Sequence, residues 1–278
     1  MPNLSEQIFK KSSITYYYSS LFFPKDVRGD IFDLYAFVRT VDNLLDTKHQ
    51  KIDEFFLFIN NYKKSIKTGN KSKNDIINNF VSLINKHNLK LEWVDAFIKA
   101  MEKDIKKVRM QRLANTLEYM YGSAEVIGLM IAKILKLPKK SYKYAKMLGR
   151  AMQYANMIRD IDEDNSLGRT YIPIEHIKKH DLVSLNKKDV LKNKEKFEKL
   201  IRYEIKLCRK WQIEAEKGFA YIPKRLLIPI KTSSDMYKWF INEIYKNPLI
   251  IFQKKIKPSK TRIIMTAAKN AISLIGNK

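Results

Sequence analysis

Apolar residues recur every three or four positions along almost the whole of this sequence, and little interrupts them. Val27, Ile31, Leu34, Val38, Val41 and Leu45 show the pattern first, after Pro24-Lys-Asp as a helix start. Comparable stretches run over 51–67, 73–87, 91–107, 115–136, 139–164, 190–220, 232–247 and 260–275. The 278 residues hold only 8 Gly and 8 Pro, too few turn formers for an all-β chain. Half of them fall between the periodic stretches: Gly69, Pro138, Gly168, Pro173, Pro223, Pro229, Pro248 and Pro258. With 45% hydrophobic residues, no repeat and no low-complexity linker, the expectation is one all-α domain over 1–278, a helical bundle with a substantial core.

The single cysteine, Cys208, rules out an intrachain disulfide and points to a reducing, cytoplasmic setting. Residues 1–20 lack the basic-apolar-small order of a secretion signal. The strongest apolar run, Val126–Ala132, is far short of the roughly 20 residues of a membrane span. The net charge of +25 admits nucleic acid, an anionic lipid surface or plain Lys richness. The lysines are spread throughout, and neither an aromatic-basic recognition motif nor a zinc pattern accompanies them. Nucleic acid is therefore not expected, while peripheral contact with a membrane face stays open.

Two segments break the apolar rule in the same way. In Tyr35-Ala-Phe-Val-Arg39-Thr-Val-Asp42-Asn-Leu-Leu-Asp46, a turn of 100° per residue puts Tyr35, Arg39, Asp42 and Asp46 on one stripe. In Gln153-Tyr-Ala-Asn156-Met-Ile-Arg159-Asp160-Ile-Asp162-Glu163-Asp164, Gln153, Asn156, Asp160 and Asp164 do the same. Carboxylates one turn apart repel, and burying them without partners costs several kcal/mol. One such pair reads as a solvated face or a salt bridge. Two, each on an otherwise apolar helix, would form an oxygen-lined cage if they faced each other across a bundle. Oxygen donors without His or Cys suit magnesium, which is held by a few carboxylates, water and substrate phosphates. Arg39 and Arg159 would receive phosphates. Ionisation of a diphosphate ester inside an apolar cavity is the chemistry that follows. Tyr16, Tyr17, Tyr18, Phe22, Phe23, Tyr35, Phe37, Tyr119 and Tyr121 are candidates to line it, since aromatic faces stabilise cations.

These segments, in this order, resemble the squalene/phytoene synthases. The first seam resembles the family's first aspartate motif, with Asn43 where members usually carry a third Asp. The second resembles the second motif and continues into the family-like Leu167-Gly-Arg169-Thr-Tyr171-Ile-Pro173. Tyr119-Met-Tyr121-Gly-Ser-Ala-Glu-Val-Ile-Gly128 is similar to the Tyr-rich helix between them, and Ser12-Ser-Ile-Thr15-Tyr16 to the N-terminal substrate segment. The likeness spans roughly residues 8–260.

The resemblance implies an isoprenoid-synthase bundle around a central cavity. It implies Mg2+ on Asp42, Asp46, Asn156, Asp160 and Asp164, with Tyr35 and Arg39 also at the catalytic centre. It implies diphosphate contacts from Ser13, Thr15, Gln153, Arg159 and Tyr237, with Tyr16 and Tyr121 at the prenyl substrate and Lys254 or Lys255 as a C-terminal basic residue. The reaction implied joins two prenyl diphosphates head to head through a cyclopropyl diphosphate. The wording Gly122–Gly128 favours phytoene from geranylgeranyl diphosphate. Dehydrosqualene or squalene from farnesyl diphosphate is the alternative, and only squalene would call for NADPH. A non-catalytic scaffold of the same fold and a terpene cyclase are the competing readings. Oligomeric state is left open.

Overall fold

The computed structural model describes residues 4–275. The chain enters through α1 (Leu4–Ser12) and α2 (Ile14–Ser20), two short helices outside the periodic stretches identified in the sequence. Ser13 separates them and caps α2, its hydroxyl accepting from the Tyr16 backbone N–H at 3.2 Å. The long α3 (Lys25–Leu45) follows, then α4 (Ile52–Thr68), α5 (Asp75–His87) and α6 (Leu91–Asp104). Next come α7 (Leu113–Met120), a π-helical turn over Tyr121–Glu125, and α8 (Val126–Ile134). Helix α9 (Tyr142–Arg159) leads into α10 (Ile161–Ser166) and the short α11 (Ile174–Lys179) and α12 (Lys187–Lys192). The last third is α13 (Lys194–Glu216), α14 (Lys224–Lys246) and α15 (Lys260–Ile275). Among the described residues there is no strand, only an isolated bridge between Arg109 and Thr170.

Three sequence expectations are corrected. The stretch 139–164 breaks at Asp160, whose φ of −98° and ψ of 14° leave the helical region between α9 and α10. The stretch 115–136 carries the π turn, an insertion that shifts every later side chain around the axis. Pro229 does not end a helix: α14 runs through it from Lys224, losing one backbone hydrogen bond.

Helices α8 and α9 press together closely. A Cβ on Gly128 would meet the Ala145 carbonyl oxygen at 2.4 Å, and one on Gly149 would meet that of Ala124 at 2.5 Å. No larger residue fits either position. Phe37, expected in a cavity lining, instead stacks on Phe80 at 3.8 Å and packs near Phe58 and Tyr62, in the core beneath α4 and α5. That leaves the opposite face of α3 for the site.

Candidate active site

A cavity of about 290 Å³ lies between α2, α3, α8, α9 and α14. Tyr144, Ala145, Leu148, Gly149, Met152, Gln153 and Asn156 of α9 all face it. Twelve residues at 1.5 Å each make this stripe about 18 Å long. Ile31, Leu34, Tyr35 and Val38 of α3 form the facing wall. Polar groups gather where Tyr16, Tyr35, Gln153 and Asn156 line it; the rest is apolar apart from small hydroxyls such as Ser123 and the Ser19–Ser233 pair at 2.7 Å.

Both α3 and α9 run from the cavity towards the acidic residues, one turn beyond its polar end. Asp46 caps the C-terminus of α3 and Asp160 that of α9. The negative ends of two helix dipoles therefore point at carboxylates, which disfavours their charge. Cations offset this. Arg39 pairs with Asp42. Arg169 reaches Asp46 at 3.3 Å and the Leu45 carbonyl at 2.6 Å. Arg159 grips Asp160 with two hydrogen bonds of 2.8 and 2.7 Å, while Lys255 sits 3.3 Å from Asp160 and pairs with Glu163. Gly168, at φ +74°, supplies the left-handed turn that brings Arg169 back towards α3.

Among the described residues Asp164 makes no ion pair, although the Arg169 charge acts on it. Burial, then the charges of Asp160 and Asp46, push its carboxyl up to about 8. Because Asp160 and Asp46 both act on Asp164, the two seams face each other. Burial likewise raises Asp42 to about 6; Arg39 opposes the rise, and Asp46 and Asp104 add to it. Asp160 goes the other way: burial pushes it up, but the Arg159 fork and Lys255 hold it below the ordinary carboxylate value.

Among the described residues no three His, Cys, Asp or Glu side chains converge into a self-sufficient metal cage. Three of the four aspartates already hold a cationic side chain. The donors nevertheless suit a divalent ion that completes its shell with water and phosphate. All are oxygens, burial and the neighbouring acids push Asp164 up to about 8 against the opposing charge of Arg169, and the buried Asn156 Oδ1 has no hydrogen-bond partner.

The other expected residues divide. Tyr16 stacks on Tyr237 with centroids 5.7 Å apart, its hydroxyl 3.4 Å from Met152 Sδ. Asn156 and Tyr16 hydrogen-bond the Tyr237 phenol, and Ser13 that of Tyr35. The Arg159 guanidinium lies 5.2 Å from the Phe240 ring centroid. Thr15 is half-buried on α2, where its backbone carbonyl accepts from the Ser19 hydroxyl at 2.8 Å. Tyr121 lies outside the site: it is 38% exposed, with Lys146 over its ring at 5.3 Å. The π turn begins at Tyr121, and the tyrosine two residues earlier points inward instead. Tyr119 and Tyr171 each donate at 2.7 Å to the two oxygens of buried Asp104, beside Asp42 and Asp46. Sequence periodicity had no means of singling out Asp104, because its partners come from other elements.

Residues 9–262 match the family model described as squalene/phytoene synthase. The chain is 25% identical to the chloroplastic phytoene synthase of an Oncidium hybrid cultivar over 93% of its own length, and spans 65% of that protein. It is 30% identical to the 4,4'-diapophytoene synthase of Staphylococcus haemolyticus over 59% of each chain. A solved dehydrosqualene synthase in complex with ligand superposes with a TM-score of 0.82 at 22% identity, covering 98% of this chain and 95% of that one. Squalene synthase HpnC from Alicyclobacillus acidocaldarius gives 0.75 at 20% identity, covering 87% and 92%.

Proposed function

Because the chain belongs to the squalene/phytoene synthase family, we propose that it joins two prenyl diphosphates head to head, with geranylgeranyl diphosphate as substrate and phytoene as product. One observation carries the reading: an apolar cavity lined by about 18 Å of α9 meets, at one end only, two facing acid seams laced with arginines.

In this reading the phosphates of both substrates lie at the seams and their hydrocarbon tails fill the cavity. Arg39 and Arg159 receive the departing diphosphate as its C–O bond breaks and the electron pair leaves with oxygen. Magnesium on Asp42, Asp46, Asn156, Asp160 and Asp164, when bound, supplies the charge neutralisation that lets diphosphate leave. The stacked faces of Tyr16 and Tyr237 stabilise the allylic cation that remains. The double bond of the second substrate attacks it, and loss of a proton closes the cyclopropyl diphosphate. The apolar walls keep water from the cation. Departure of the second diphosphate, rearrangement and loss of another proton then give the triene core of phytoene.

The match to a 4,4'-diapophytoene synthase supports a second reading in which farnesyl diphosphate is the substrate and the product has 30 carbons. Purified protein given each diphosphate separately with magnesium, with and without NADPH and with a chelator control, decides between them. A chelator-sensitive C40 hydrocarbon from geranylgeranyl diphosphate is expected. A C30 product from farnesyl diphosphate alone moves the assignment, and folded protein that turns over neither substrate overturns it.

A further inference from the structure

The acid seams occupy one end of the cavity; the opposite end is built differently. There Leu135, Leu137, Tyr144, Phe219 and Ile222 close the apolar space. Tyr221 stacks on Tyr144 with centroids 5.7 Å apart, and Gly218 lies so close that a Cβ there would meet Tyr144 Cβ at 2.3 Å. Lysines surround this stack. Lys140 Nζ lies 4.8 Å from the Tyr221 centroid and Lys143 Nζ 4.7 Å from that of Tyr144.

Between 133 and 147 the sequence carries six lysines and no acid. Lys146 is engaged by buried Glu125, but among the described residues Lys136, Lys139, Lys140, Lys143 and Arg225 are exposed and make no ion pair. Lys139, Lys140 and Lys143 surround the N-terminus of α9, and Arg225 stands in the first turn of α14; neither helix has an acid in its first turn. Bases at the positive end of a helix dipole weaken the helix, and of these five only Lys140 and Lys143 gain a ring contact in exchange. The patch lies beside the apolar end of the cavity.

We propose that this end of the molecule docks on an anionic lipid bilayer. Lysines and arginines near such a surface are attracted by its negative potential, and aromatic rings settle at the level of the headgroups. Tyr144, Tyr221 and Phe219 provide those rings within a ring of unpaired bases. Docking in this orientation turns the apolar end of the cavity to the membrane and the acid seams to water. What docking serves rests on the prenyl reading, since prenyl tails and a hydrocarbon product partition into lipid. The electrostatic geometry does not depend on that reading.

Co-sedimentation with vesicles tests the proposal. Wild-type protein is expected to bind phosphatidylcholine vesicles containing 30% phosphatidylglycerol, to leave them at high salt, and to ignore pure phosphatidylcholine. Reversing three bases at the patch (Lys139→Glu, Lys140→Glu, Lys143→Glu) is expected to weaken partitioning at least about tenfold. Reversing three exposed lysines of α4 (Lys63→Glu, Lys64→Glu, Lys67→Glu) changes net charge equally and is expected to act within about twofold. Equal losses in both triple variants overturn the proposal by showing only a net-charge effect. Binding that ignores salt, or binding to duplex DNA but not to vesicles, overturns it as well. Turnover of detergent-dispersed substrate, measured on the same proteins, separates the two readings. Its absence everywhere defeats the prenyl assignment and leaves the vesicle result standing.

Discussion

Arg169 donates to the backbone carbonyl of Leu45 at 2.6 Å, across 124 residues of sequence. The contact fastens the segment after the second aspartate motif to the end of the helix that carries the first. The same guanidinium reaches Asp46 at 3.3 Å, so one side chain holds the two seams in mutual position. Lysine has a single compact charge and cannot reproduce the fork. Arg169→Lys is therefore expected to lose about 1.5–3 kcal/mol of stability in urea unfolding. Turnover should fall at least about tenfold. An unchanged unfolding midpoint would show that the contact holds nothing together.

Tyr119 and Tyr121 make a matched pair of tests. Tyr119→Phe leaves one oxygen of buried Asp104 without its donor, at an expected cost of about 1–3 kcal/mol. Tyr121→Phe removes an exposed hydroxyl and should stay within about 0.5 kcal/mol of wild type. Equal effects in thermal unfolding would contradict the inward placement of Tyr119.

Asp160→Asn and Asp42→Asn each keep the side-chain shape and remove a charge from a seam. Turnover should drop about a hundredfold or more. Circular dichroism should be unchanged. A second readout is independent of turnover: magnesium with inorganic diphosphate should raise the melting temperature of wild type and not of either variant. Wild-type activity in Asp160→Asn would defeat the metal assignment.

The pH dependence of the chelated protein has a definite sign. Folded Asp164 keeps its proton up to about 8, whereas an unfolded aspartate releases it near 4. Over that window the folded chain binds more protons, so stability falls as pH rises. Asp42, raised to about 6, adds to the loss in the lower part of the window. Asp164 alone contributes a slope no steeper than about 1.4 kcal/mol per pH unit. Asp164→Asn should flatten the profile between pH 6 and 8 in chelator, and magnesium with diphosphate should flatten that of wild type. A wild-type profile that is already flat in chelator would contradict the placement of Asp164 beside Asp160 and Asp46.

The seams were legible because a 3.6-residue period decides which residues share a stripe, and Tyr35, Arg39 and Asp42 needed nothing else. The helical class followed from the same period and the scarcity of breakers. What escaped depends on contacts between elements. Asp104 reads as the polar end of a surface helix until Tyr119 and Tyr171 close on it. Arg169 was part of a familiar tail, yet its carbonyl partner on α3 has no sequence signature. Tyr119 and Tyr121 stand two residues apart and so on opposite sides of their helix, and likeness to a Tyr-rich segment does not say which of them points inward. Phe37 was misplaced because α3 is apolar on several faces, and pattern does not say which faces the cavity.

The close contact of α8 and α9 also limits how this protein can diversify. Gly128 and Gly149 bring backbone against backbone, so that wall admits no additional carbon without driving the helices apart. No glycine stands on α2 or α14, where Ser19, Ser20 and Ser233 line the cavity. Descendants of this sequence that acquire a shorter or longer guest are therefore expected to record the change on α2 and α14, while the two glycines persist as fixed points of the lineage.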